Sequence, residues 1–340
     1  MTRRSISLLV AGGVLVAVLV IAPDVPLVVF AGILLGLFLR GGGDWIAARL
    51  KIGQMLGMAA FVLTLVLIGV AIALLAAPLI AVQFDELMVR IPAAAEGLMQ
   101  QIRQYPWGED LLAQLRPEGM LRTGGAGVAA AAATTFGAFG HVVVILIVGI
   151  YMAINPGLYL RGVRQLFAPS LRPRAEEVMH ATASTLRRWL AAQILAMTTV
   201  GVLSWIGLWI LGIPLAPMLG LIAGLFAFIP NVGPILSMIP GVLLALPMGT
   251  ETVIWTVGVY MAVQAIETYL VTPIVQREMV ALPPALTITV QILLGVLFGI
   301  FGLMLATPIA AACMTLTRML YVDYLDGEPG AKPAKAARGK

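Results

Sequence analysis

Residues 220–246 read GLIAGLFAFIPNVGPILSMIPGVLLAL, an apolar run of bilayer-crossing length whose middle is Pro230-Asn231-Val232-Gly233-Pro234. An uninterrupted spanning helix takes roughly 20 apolar residues. Proline removes a backbone donor and clashes with the preceding turn, so the helix must stop at this five-residue break. Lipid cannot hydrogen-bond the freed groups, and irregular backbone at membrane depth persists only when buried in protein or lining a wet cavity. The alternative is a helix that leaves the membrane, turns in water and re-enters. Its second arm, 235–246, would then reach only about 18 Å at about 1.5 Å per residue, against a hydrocarbon core of roughly 30 Å. Length therefore favours a re-entrant hairpin, the form in which transporters present substrate or ion sites.

The rest of the composition agrees. Of 340 residues, 61% are hydrophobic and 11% charged, with mean hydropathy +1.02, whereas about a quarter of a soluble domain is charged. The expected fold is an all-α polytopic membrane protein with about six full spans plus two re-entrant or broken helical hairpins. Cys313 is the single cysteine, and His141 and His180 are the two histidines, so neither a disulfide framework nor a Cys/His metal site is expected, and no cofactor. The net charge of +5 lies between spans and in the tail, which is a topology signal and not a nucleic-acid footprint.

Working outward, Arg3 and Arg4 precede an apolar first helix at 6–22, Pro23-Asp24-Val25-Pro26 turns, and a short helix at 27–39 is followed by Arg40, Arg49 and Lys51. Basic flanks mark the cytoplasmic side, making these two helices a hairpin with its turn outside. No charge occurs from Ile52 to Phe84, one long span. Residues 83–133 then read as an external insertion, with Asp85, Glu86, Glu96, Glu109, Asp110 and Glu118 set against Arg90, Arg103, Arg116 and Arg122. Leu87, Ile91, Ala94, Leu98 and Ile102 keep helical spacing, so the insertion includes an amphipathic helix, either a passive surface element or a lid or interaction module.

The small residues 124–133 read as flexible, 134–155 as a span ended by Asn155-Pro156-Gly157, and 156–191 as a basic cytoplasmic segment. Its part 174–192 reads as an amphipathic helix at the membrane surface, feeding the next span. Within the transport core, 192–320, broken hairpins are expected at 217–246 and 284–320, and the tail 321–340 is expected to be disordered and, like the N-terminus, cytoplasmic.

The span at 252–272 carries Glu267, with Gln264 three and Tyr260 seven residues earlier on the same helical face. An intramembrane carboxylate usually faces the bundle interior and marks an ion, proton or substrate path. The competing reading is that Glu267 lies near the inner end and snorkels to the headgroups. The last uncharged tract, 279–317, is too long for one span and too short for two, and centres on Gly295-x3-Gly299-x2-Gly302 with Pro308 beyond. It loosely repeats Gly220-x3-Gly224 with Pro230 beyond. Paired interrupted segments entering from opposite faces point to a midplane site; close packing through small residues is the rival explanation of the glycines. The expected solute or ion lining is Pro230, Asn231, Gly233, Pro234, Gln264, Glu267, Gln291, Gly295 and Gly299.

FIPNVGPILSMIPGVLLAL (228–246), Glu267 with Pro273, and Pro284 followed by GVLFGIFGLMLATP (295–308) resemble the autoinducer-2 exporter family of permease-like bacterial membrane proteins. The resemblance implies a secondary transporter of the bacterial inner membrane that exports a small polar solute or exchanges sodium or lithium for protons, assembled as a homo-oligomer. Where that family often carries His before the proline matching Pro284, this chain has Pro283, so no titrating role falls there. No GxSxG, HExxH or P-loop motif supports an enzyme. A non-transporting scaffold would explain the amphipathic insertions but not Glu267 or the two broken spans.

Overall fold

The computed structural model describes residues 22, 24–75, 77–104, 126–271 and 283–322. Every regular element among them is helical, and five helices are long and apolar enough to cross a membrane, or six if the bent pair Phe139–Ile154 and Pro156–Leu166 is one span. The chain is an all-α polytopic membrane protein. The expected first helix up to residue 21, residues 105–125 and 272–282, and the tail from residue 323 fall outside the described residues, while residues 321 and 322, expected in that tail, close a π-helical turn at Arg318–Val322.

Two compact units divide the chain, one from the described parts of Met1–Ala59, Val144–Ala191 and Gln276–Lys340, the other from those of Ala60–Val143 and Ala192–Val275. In the first, α1 (Asp24–Leu50) is longer than its sequence pattern suggests. It starts inside the expected turn at 23–26 and runs through Gly41-Gly42-Gly43 instead of ending at Leu39. An Arg40–Asp44 ion pair at 3.1 Å spans the glycines. Gly43 lies so close to α2 (Gln54–Leu75) that a Cβ there would meet Met58 Cα at 2.7 Å. Lipid tails supply no hydrophobic drive between helices, so such backbone approach is the means of packing. Leu27 and Leu34 of α1 share a core with Leu186, Leu305 and Ala312.

The stretch expected as one span at 52–84 is helical in α2 and in α3 (Ala77–Arg103), and α3 carries helix well past residue 84. In α4 (Ala126–Ile154) the small-residue run expected to be flexible is helical from Ala126, because alanine is the best helix former. Asn155-Pro156 stops α4, and α5 (Pro156–Leu166) leaves at 92°. The basic segment then enters α6 (Arg172–Ile210), one unbroken helix of 39 residues that continues as the next span.

The second unit holds the first expected hairpin. The turn at 211–215, with Gly212 and Leu215 at φ 69° and 60°, delivers α7 (Ala216–Phe226). After the break comes α8 (Val232–Ala245), a 3-10 turn at Leu246–Met248, then α9 (Thr250–Ile266), ending in a π-helical turn, Glu267–Val271. Leu87 of α3 is buried in the core these helices form with Val200 and Leu208 of α6. Gly220 and Gly224 face α6: a Cβ on Gly224 would meet Met197 O at 2.9 Å. Packing therefore explains these two glycines.

Candidate functional site

The first break overlaps the one expected at 230–234 but lies three residues earlier, at 227–231. Helix resumes at Val232, with Pro234 inside the first turn of α8, a position where its missing N–H is not needed. Between the arms, Ile229 N–H donates to Phe226 O at 2.9 Å and Gly233 N–H to Ile229 O at 2.9 Å. Asn231 holds φ 68°, ψ −44°, and Val232 N–H donates back to Pro230 O at 2.8 Å, the geometry of a γ-turn. The arms close tightly: a Cβ on Gly233 would lie 1.8 Å from Phe226 O.

The freed carbonyl of Ala227 accepts a hydrogen bond from Gln193 Nε2 at 2.7 Å. Gln193 is buried, on α6, and sequence reasoning missed it because the bond spans 34 residues. Replacing Gln193 by leucine leaves that carbonyl unpaired at membrane depth, which costs about 1–3 kcal/mol. The expected result is loss of thermal stability with a much smaller loss for Gln193→Glu protonated at low pH; equal melting midpoints for wild type and Gln193→Leu would refute the assignment.

On α9, Gln264 Nε2 donates to Glu267 Oε2 at 3.0 Å and lies 3.2 Å from Thr268 Oγ1, while the Thr268 hydroxyl donates to Glu267 Oε2 at 3.3 Å. Glu267 is half-buried, and it opens the π-helical turn, a widening common at functional positions. Tyr260, expected on the same wet face, is instead buried: a Cβ on Gly241 of α8 would meet its hydroxyl at 2.7 Å. Pro230, Asn231, Gly233, Pro234, Gln264 and Glu267 all belong to the second unit. At the other end of the hairpin, a cavity of about 430 Å³ is lined by Arg90 of α3, Leu246, Pro247 and Met248.

Gln291, Gly295 and Gly299 belong to the first unit, in α10 (Pro284–Thr317). Gly299 breaks this helix at φ 62°, ψ −147°, backbone that is essentially glycine's alone. The tract folds back there. A Cβ on Gly302 would lie 2.1 Å from Leu294 O, and one on Gly295 would lie 3.5 Å from Leu303 Cδ1. Gln291 is 2% exposed in the first arm. Gly299 supplies the turn and Gly302 the close approach. Among the described residues no group of three His, Cys, Asp or Glu is placed to hold a metal ion.

A family model described as AI-2E family transporter matches residues 7–321. YrrI of Bacillus subtilis (strain 168), by name a transport protein, is 27% identical over 161 residues, 47% of this chain and 46% of its own. YdbI of the same strain, also named for transport, is 34% identical over 128 residues, 37% of each chain. PerM of Escherichia coli (strain K12), named a permease, is 25% identical over 171 residues, 50% of this chain and 47% of its own. The alignments span about half the length of these relatives or less.

Proposed function

The chain belongs to the AI-2E transporter family, and from that premise we propose that it is a secondary carrier whose coupling group is Glu267. One observation carries the reading: Glu267, Gln264 and Thr268 form a hydrogen-bonded cluster in the same unit as the break between α7 and α8, where two helix ends replace continuous helix. A carboxylate inside an apolar helix is kept there at a cost and marks a path for a cation, a proton or a polar solute. Half-helix ends at the break add partial charges that bind such species without a full charge of their own. Gln291, Gly295 and Gly299 line the second hairpin in the same proposal, which takes a small polar solute as cargo.

Exchange of a monovalent cation for protons is the second reading, favoured by the carboxylate itself, which binds either. Proteoliposomes of purified protein separate the two when sodium, lithium and proton exchange are measured beside efflux of autoinducer-2, the solute in the family's name. Saturable, counter-ion-dependent flux supports a carrier; flux that stays linear at high solute identifies a channel. No flux of any kind would support a scaffold. Native mass spectrometry of the same sample tests assembly: a monomer mass alone overturns the homo-oligomer.

A further inference from the structure

The helix α5 has no buried residue, and it runs at 92° to the apolar helix that precedes it. Spanning helices tilt on average only about 20° from the bilayer normal, so a helix perpendicular to one lies along the membrane surface. Its faces are sorted accordingly. At 100° per residue Tyr159, Leu160, Val163 and Leu166 form one arc, while Arg161, Arg164 and Gln165 lie opposite. Leu166 is 81% exposed, so the fold itself does not cover that arc.

The charge around it is one-sided. From 156 to 191 there are six arginines (Arg161, Arg164, Arg172, Arg174, Arg187, Arg188) and two glutamates, an excess of four positive charges. Both glutamates are already engaged, Glu176 by Arg164 at 3.3 Å and Glu177 by Arg174 at 2.7 Å. The Arg164–Glu176 pair holds α5 against the start of α6. Arg161 is exposed and has no partner among the described residues.

We propose that α5 and the start of α6 form a binding surface for anionic phospholipid headgroups, with Tyr159, Leu160, Val163 and Leu166 seated at the acyl boundary and Arg161 on the phosphates. The apolar arc selects a lipid over a dissolved anion, and the excess positive charge selects an anionic lipid over a zwitterionic one. This holds whatever the chain transports. A cation near an anionic leaflet gains about fivefold in affinity.

The test uses the full chain equilibrated in mixed micelles of phosphatidylglycerol and phosphatidylcholine, with the retained lipid counted by native mass spectrometry. Phosphatidylglycerol is expected to be preferred, Arg161→Gln to lower that preference about fivefold, and Arg161→Lys to keep it. Leu166→Ser should weaken retention of both lipids, and inorganic phosphate should not displace them. Equal retention of the two lipids, an unchanged preference in Arg161→Gln, or displacement by inorganic phosphate overturns the proposal.

Discussion

Gly233→Ala is expected to leave little folded protein in the membrane, the largest effect of any single methyl group in the first hairpin. The added carbon would stand 1.8 Å from Phe226 O and 2.5 Å from Phe226 C, and both obstacles are backbone. When side chains can move aside, overpacking costs about 1–3 kcal/mol. Here the arm α7 itself must move, so the cost lies at the top of that range, about 3 kcal/mol or more. Gly302→Ala should match it, with Leu294 O at 2.1 Å. Gly299→Ala meets nothing within 4 Å and loses only the conformational term, about 1–3 kcal/mol. Gly258→Ala, also in open space, lies within α9 and should be neutral or gain roughly 0.5–1 kcal/mol. Recovery of monodisperse protein and its melting midpoint should therefore rank Gly258→Ala above Gly299→Ala above the other two. Wild-type recovery of Gly233→Ala would mean that the arms do not meet as described.

Glu267→Gln should abolish coupled transport while leaving expression and melting near wild type. Glutamine keeps the volume of the side chain and an oxygen that accepts from Gln264 and Thr268, so the local bonds at 3.0 and 3.3 Å survive. Only the charge and the titrating site go. If Glu267 binds the coupled ion, loss of flux should be at least about a hundredfold, a differential interaction of roughly 2.7 kcal/mol. Gln264→Leu removes one donor and should reduce flux more mildly, by about tenfold for a charge-assisted bond of about 1.5 kcal/mol. Unchanged flux in Glu267→Gln would end the coupling proposal and restore the reading in which this carboxylate snorkels.

Much of this was legible because membrane constraints act locally. Pro230, Asn231 and Gly233 announce the first break in any order of helices, and 39 uncharged residues at 279–317 cannot be one span or two. Gln264 and Glu267 are three apart and bond directly, as helical spacing requires. Long-range facts were hidden. Nothing near Gln193 tells that it reaches Ala227, and Tyr260 looked wet until Gly241 was found to cover it. Gly41 to Gly43 read as a helix end because the pattern does not include Met58, the neighbour against which Gly43 packs. The helix expected at 174–192 forms the start of α6 and runs without interruption into the apolar helix it was expected to feed, whereas the sequence pattern did not single out α5.

With 39 residues, α6 is about 58 Å long at about 1.5 Å per residue, nearly twice the hydrocarbon layer of roughly 30 Å. About half of it therefore stands outside that layer, and Arg172, Arg174, Arg187 and Arg188 all fall in its first half. Gln193, whose amide grips the hairpin at Ala227, lies along that shaft just past its midpoint.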